Sequence, residues 1–479
     1  MRRGVFLRRL GALSGSVMTV RAFAPLSARA AGADTVDYTL TAAPHTFSPV
    51  AGVSFHGLAY NATIPGPLLR VREGQRLRVR YINRTGAPNS IHWHGMILPN
   101  RMDGVPDVTQ PPVRDGATFV YEYVPKPSGT RWYHSHAPQQ SLKGLFGMII
   151  ADDPQDERAD RDLALIFHDV PNMKTVEAAM RGVSSAPMID PPGSPELLAM
   201  SPDSRMGDEV GFVAHCINGA SYPKTRPIAV QIGEKIRLRI LNANPTQTRY
   251  VRLAGHTLRV THSDGNRLPR PVDAEILRIG VAERYDAWFE VTKPGAWLLQ
   301  GLSADPMSFE QAVVVHTAGM EGATPLGAPN TLEGARIFSY ERAGQILGLH
   351  GAPVRHADVR QSYMLGGGKF GSDRWTMNGK VYPHTEKITV HPGNWVEVHF
   401  TNKTDMHHPM HLHGHVFDVV AMNGHALRYP LPKDTSLVDP NGGTMTWRFR
   451  ADSPPGRWLL HCHNDIHMMD GLMTEVVYT

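Results

Sequence analysis

Two cysteines in 479 residues are the first constraint. They cannot build a disulfide framework or a four-thiolate zinc site. The chain also has no stretch of about 18 consecutive apolar residues, so no membrane span is expected. Basic clustering is missing too. Lys and Arg total 49 against 44 Asp and Glu, with no run of five basic residues, which argues against a nucleic-acid partner. Apolar material is not in short supply: 41% hydrophobic and 19% charged residues exclude a disordered chain. The 45 glycines and 38 prolines form no low-complexity runs and suit a turn-rich β protein. Against these shortages stand 25 histidines. Surplus imidazole with almost no thiol suggests metal chemistry on nitrogen ligands, although scattered surface histidines would give the same count.

Arg2-Arg3-Gly4-Val5-Phe6-Leu7 opens the chain, and a mildly apolar stretch follows to about Val20. Ala28-Arg29-Ala30 then offers an A-x-A cleavage site. The pattern predicts a twin-arginine export signal over residues 1–30 and a periplasmic mature protein.

A long-period repeat sets the architecture. Asn61 begins a first copy that runs through Pro-Gly, a Gly turn and an alternating strand to Asn83. The second copy runs from Asn218 to Asn242, and the third from Asn378 to Asn402. The closing asparagines are 159 and 160 residues apart. Each copy alternates apolar and polar residues after its glycine, the signature of a half-buried strand. The period is too long for a solenoid, so each copy is a whole domain. Many short alternating strands with turn residues between them predict an all-β chain of three β-sandwiches, over 32–155, 156–320 and 345–479. Thr317 to about Gly351, rich in Gly, Ala and Pro, reads as the linker into the third. Asn172–Gly207, with five methionines, reads as a long loop with one short helix.

Four histidine clusters carry the chemistry. His92-Trp93-His94-Gly95 and His134-Ser135-His136 lie in the first domain. His408-Pro-Met-His411-Leu-His413 and His461-Cys462-His463-Asn-Asp-Ile-His467 lie in the third. On a strand, residues two apart point to one face, so each H-x-H pair aims two imidazoles at one locus. Four such pairs suit about three metal ions, placed where the first and third domains meet. If His461 and His463 face one side, Cys462 faces the other, where His408 and His467 can join it. Two histidines and a thiolate form the trigonal set of a blue-copper electron-transfer site. Zinc rarely needs eight histidines and gains nothing from an electron path.

These motifs resemble those of three-domain multicopper oxidases, of the laccase and copper-resistance-oxidase kind, over essentially the whole mature chain. The resemblance implies cupredoxin-like Greek-key sandwiches and four copper ions. His408, Cys462 and His467 match the type 1 ligands. His92 and His411 match the type 2 ligands. His94, His134, His136, His413, His461 and His463 match the type 3 pair. It implies one-electron oxidation of a small reducing substrate, phenols or aromatic amines, coupled to reduction of O2 to water. Cu(I) oxidation for copper tolerance is the alternative within the class. A non-catalytic copper-binding cupredoxin protein is the alternative outside it, which the complete ligand set disfavours. One chain holding both halves of the cluster is expected to work as a monomer.

The family's axial position, ten residues past the ligand cysteine, holds Leu472, where many bacterial members have Met. Leucine cannot ligate, which implies a three-coordinate site of raised potential, as in fungal laccases. Met473 stands beside it and would restore a thioether after a one-residue shift. Oxygen reduction consumes protons, so acids near the cluster are expected. Asp103 matches the family's cluster-side acid, and Asp465 an acid of fungal and plant members. Cys216 reads as a buried inert thiol. The other fifteen histidines, His407 and His415 among them, read as structural or surface residues. Met406, Met410, Met422, Met445, Met468 and Met469 crowd the third-domain motifs. Thioethers suit Cu(I), but with no dense Met-rich run they read as core filler.

Overall fold

The computed structural model describes residues 29–31, 35–180, 210–302, 309–329, 331–347, 356–367 and 374–479. Residues 1–28, which carry most of the expected export signal, lie outside this set, as do 181–209 of the methionine-bearing stretch. The described part of that stretch contains the short helix Met173–Met180.

The strands form six sheets in three pairs. In each pair, one sheet begins with a strand parallel to the alternating strand of the repeat. Thr35–Phe47 lies beside Arg76–Asn83, Arg161–Pro171 beside Lys235–Asn242, and Val359–Gly366 beside Trp395–Asn402. The second sheet of each pair is closed by another parallel pairing. Leu69–Arg72 lies with Phe146–Asp152, Ile228–Val230 with Phe309–Thr317, and Ile388–Val390 with Met473–Tyr478. Parallel neighbours far apart in sequence require crossovers between sheets, which is the Greek-key sandwich expected from the motifs.

The repeated asparagines explain why the pattern recurs. Asn61, Asn218 and Asn378 adopt left-handed backbone (φ 52°, 50° and 52°), which asparagine tolerates well. Each bonds a neighbouring strand through both side-chain atoms: Thr41 N and Thr39 O, Ile166 N and Ala164 O, Met364 N and Ser362 O. The closing Asn83, Asn242 and Asn402 are wholly buried. Their amides donate to loop carbonyls, those of Ala87 and Val113, Gln247 and Ile279, and Met406 and Asp439. Each therefore supplies side-chain donors to the carbonyls of the loops around it.

The alternation holds in the first copy, where Leu77, Val79 and Tyr81 are buried and Arg76, Arg78 and Arg80 are exposed. It fails in the second. Arg237 and Arg239 are also buried, 2% and 3% exposed, because the first domain and its connecting segment cover that face. Arg237 pairs with Asp156 and Asp286, and Arg239 with Asp162 and with Thr130 of the first domain. The Gly- and Pro-rich stretch before the third domain is not structureless. Ile337–Phe338 adds to the middle sheet, and the helix Tyr340–Gly344 packs against Asn266–Ala274 and His425–Lys433.

Candidate metal centre

Strand register places the histidines. Ile91–His94 runs antiparallel to Gly129–Ser135 with His92 opposite His134. In the third domain, His408–Leu412 runs antiparallel to Arg457–Cys462, with His411 opposite His461 and Met410 opposite Cys462. Directly opposed residues share a face, so the two strand pairs present equivalent histidine faces to each other, and Cys462 turns away from them.

The donors converge in sets whose atoms lie within 4.8 Å of one another. His92 and His94 meet His411, His94 and His134 meet His463, and His136 meets His413 and His461. Each set combines residues of the first and third domains. A further set on the other face contains His408, Cys462 and His467. All eleven ligand candidates read from the sequence are thus brought into two loci.

Hydrogen bonds set the tautomers. His92 Nδ1 donates to the Asp103 carbonyl (2.9 Å), His134 Nδ1 to Ser135 O (3.0 Å), His411 Nδ1 to Asp434 O (2.7 Å) and His461 Nδ1 to Cys462 O (2.8 Å). His413 Nδ1 donates to Asp103 Oδ2 at 3.0 Å. Each of these imidazoles keeps a bare Nε2 lone pair. His94 is reversed: its Nε2 donates to Asp434 Oδ1 (3.1 Å), leaving Nδ1 bare. The bare nitrogens of His92, His94, His136 and His411 are buried and meet no hydrogen-bond partner. Those of His413 and His461 face each other at 2.9 Å, lone pair to lone pair. Burial, then the neighbouring imidazoles, holds His94, His134, His136, His411, His413 and His463 well below the ordinary histidine range. Burial takes His461 down to about 4. Neutral, convergent and unsatisfied nitrogens are the donor set a transition metal needs.

The second locus is smaller and local. Cys462 Sγ lies 3.6 Å from His408 Nδ1 and 3.4 Å from His467 Nδ1, and the two nitrogens are 3.0 Å apart. Thr404 Oγ1 lies 2.9 Å from His408 Nε2 and orients that ring. Asn464 caps the helix Asp465–Asp470, accepting from Ile466 N and His467 N, and so fixes the turn that returns His467 to Cys462. Cys462, His408 and His467 are all fully buried. The Trp375 indole lies over His467, with centroids 3.8 Å apart, and edge-on to His408 at 5.2 Å. Leu472 is fully buried, and its carbonyl accepts from Cys462 N. Met473 pairs with His461, which puts its side chain on the histidine face rather than that of Cys462.

The two acids separate. Asp103 is wholly buried between His413 and His92, 3.0 and 3.3 Å from their Nδ1 atoms. Asp465 lies in a narrow cleft lined by His463, Trp132, Asp169, Asn244 and Ser141. Burial pushes its carboxyl up to about 7, against a hydrogen bond from Ser141 that lowers it.

Cys216 is buried, and burial raises its thiol to about 12. His415 is buried and donates to the His413 carbonyl, as a structural histidine would. Met406, Met410, Met422 and Met445 are buried in the core, while Met468 and Met469 are half-buried on the helix that carries His467.

Sequence reasoning missed a charge cluster between the domains. Asp434 of the third domain is gripped by Arg284 of the second through two bonds of 2.7 and 2.6 Å, and by Arg131 of the first at 3.2 Å. Lys433 pairs with Asp264 and Glu283 of the second domain. All six side chains are buried. No local motif marks them, because the partners lie 150 to 303 residues apart. Trp375 was missed for the same reason.

A fold of three sandwiches, with a histidine-lined interface and a separate site of one cysteine and two histidines, defines an oxygen-using copper oxidoreductase. Multicopper oxidase family models match residues 41–156, 197–318 and 356–479. The chain is 32% identical over 473 residues to "Multicopper oxidase MmcO" of Mycobacterium tuberculosis, covering 96% of this chain and 90% of that one. It is 26% identical to a copper resistance protein A homolog of Pseudomonas syringae pv. tomato (89% and 90% covered). It is 27% identical to Laccase-1 of Fomitopsis schrenkii (85% and 80% covered). The crystal structure of Fet3p, a multicopper oxidase that functions in iron import, superposes with a TM-score of 0.77 at 20% identity, covering 93% and 90% of the two chains. The chain belongs to the multicopper oxidase family, whose members carry four coppers of types 1, 2 and 3.

Proposed function

We propose that this chain is a laccase-like oxidase that takes single electrons from phenols or aromatic amines and passes them to O2. One observation carries the reading: Cys462, which shares its locus with His408 and His467, is joined covalently on both sides to histidines of the other locus. In this reading His408, Cys462 and His467 hold the type 1 copper. His92 and His411 hold the type 2 copper, and His94, His134, His136, His413, His461 and His463 the type 3 pair. When bound, copper supplies one-electron oxidation at the first locus and four-electron reduction of O2 to two waters at the second.

The remaining chemistry belongs to the protein. Cys462 bridges the loci through its own backbone. Asp103 Oδ1 is buried with no hydrogen-bond partner beside the cluster imidazoles, so it can hold a proton for the oxygen chemistry. Asp465 lines the cleft at His463 and can receive protons there. Leu472, buried beside Cys462, would neighbour the type 1 copper without ligating it. The Arg2-Arg3 leader and its A-x-A site support twin-arginine export to the periplasm. Both halves of the cluster lie in one chain, which supports a monomer. Among the described residues no helix is long and apolar enough to cross a membrane.

Cu(I) oxidation is the second reading, favoured by the copper-resistance relative and by the half-buried Met468 and Met469 beside His467. Turnover with 2,6-dimethoxyphenol and with Cu(I), each measured as oxygen uptake, separates the two. Faster turnover of the phenol is expected. Turnover confined to Cu(I) would replace the first reading with the second.

A further inference from the structure

Among the described residues the second domain offers no ligand to either locus, yet its Arg284 reaches the histidine cluster through the ion pair with Asp434. We propose that Asp434 and Arg284 are positioning residues that set the tautomers of His94 and His411. Through them the docking of the second domain is coupled to copper capture by the cluster. The inference rests on the histidine locus being the oxygen-reducing copper cluster.

Asp434 acts on two imidazoles with opposite polarity. Its carboxylate accepts from His94 Nε2, which forces the His94 lone pair onto Nδ1. Its backbone carbonyl accepts from His411 Nδ1, which forces the His411 lone pair onto Nε2. The two rings stack, 3.6 Å apart and 15° from parallel, so a turn of either would disturb both. Thr435 Oγ1 cannot replace the carboxylate, because a hydroxyl can donate as well as accept; it lies within reach of both rings (3.0 and 3.2 Å).

Arg284 holds the carboxylate in place. Its two terminal nitrogens meet the two oxygens of Asp434, a planar match that a lysine cannot make. Arg284 Nε and Nη2 also donate to Thr130 O of the first domain and Asp264 O of the second, so the clamp contacts all three domains. Asp264 in turn accepts from the backbone N–H groups of Asp434 and Thr435. Arg284 and Arg131 set two guanidinium groups against the buried Asp434 carboxylate. Gly95, which follows His94, completes the fit. Its φ is +79°, and a Cβ there would collide with Asp434 Oδ2 and with Arg284 Nη2. The glycine of the H-W-H-G motif therefore makes room for the ion pair.

The test is copper content per chain across a titration with chelator, read separately for the two loci by paramagnetic resonance and by the blue absorption of the Cys462 site. Wild type, Asp434→Asn, Arg284→Lys and Gly95→Ala are compared. Loss of such outer hydrogen bonds typically weakens metal binding by about 10–100-fold. That loss is expected at the histidine locus in all three variants, with the blue band intact as proof of folding. Asp434→Glu, which keeps the carboxylate, is expected to recover part of it. Wild-type affinity at the histidine locus in both Asp434→Asn and Arg284→Lys would overturn the proposal. So would equal loss at both loci in Arg284→Lys, because the role would then be general stability. A wild-type chain that binds no copper at the histidine locus would instead refute the functional reading beneath it.

Discussion

The two metal loci are built in opposite ways. The Cys462 locus is local: its ligands come from one domain, two of them five residues apart, and a capped helical turn fixes their spacing. The histidine locus is assembled from two domains, and a third closes it through buried charge. A local site depends on one sandwich keeping its shape. An interface site depends on every domain contact at once, so it is the more easily lost. The same difference shows in how far each was readable. Cys462 and His467 could be grouped from sequence because they lie five residues apart, and His408, 54 residues from Cys462, because it stands in a histidine motif of the same domain. The clamp on the histidine locus could not, because Arg131, Arg284 and Asp434 come from three domains.

The two loci join at Cys462, so a change there has the largest effect. Cys462→Ser should abolish the blue band and reduce oxygen uptake to background, while copper at the histidine locus stays bound, as chelator-resistant metal content would report. If the histidine locus empties as well, the loci are not independent in assembly.

Asp103→Asn comes next. Removing a positioned proton carrier typically costs about 10²–10⁴-fold. Turnover should fall by about that much, while the rate at which substrate bleaches the blue band under anaerobic conditions is unchanged. Slowed bleaching would mean that Asp103 serves both loci.

Copper removal should destabilise the interface more than the local site. A ligand held at a thousand times its dissociation constant adds about 4 kcal/mol. Metal removal should lower the unfolding midpoint by a corresponding amount, first in contacts between the first and third domains, as hydrogen exchange would show. Acid should sharpen this. The cluster histidines are held neutral in the fold, so below about pH 6.5 the unfolded chain binds more protons than the native one. The metal-free protein should therefore lose stability as pH falls from about 6.5 through the lowered native values. Stability flat from about pH 7 to about pH 5 would contradict buried neutral histidines.

Leu472→Met is the smallest change expected. A thioether on the axial side should lower the potential of the Cys462 site and slow the oxidation of phenols that are hard to oxidise, leaving the histidine locus untouched. An unchanged potential would place residue 472 off the axial side.

Much of the fold was legible because it is repeated. The asparagines at 61, 218 and 378 and at 83, 242 and 402 do the same work three times, and alternation marked the strands they flank. The pattern misled only at Arg237 and Arg239, whose outward face is buried by a neighbouring domain. Alternation reports which side of a strand meets its own core and carries no information about what covers the other side. In the site, period-2 spacing was enough to pair the histidines. It could not reveal Trp375 over His467, nor show that Asp465 shares a cleft with His463, Ser141 and Asn244.

Together the two loci should work as one electron path ending in water. The direct measurement is the stoichiometry of oxygen uptake by the copper-loaded chain against substrate oxidised. Four electrons consumed per O2, with no hydrogen peroxide accumulating, is the result expected. Two electrons per O2 with one peroxide released would contradict it.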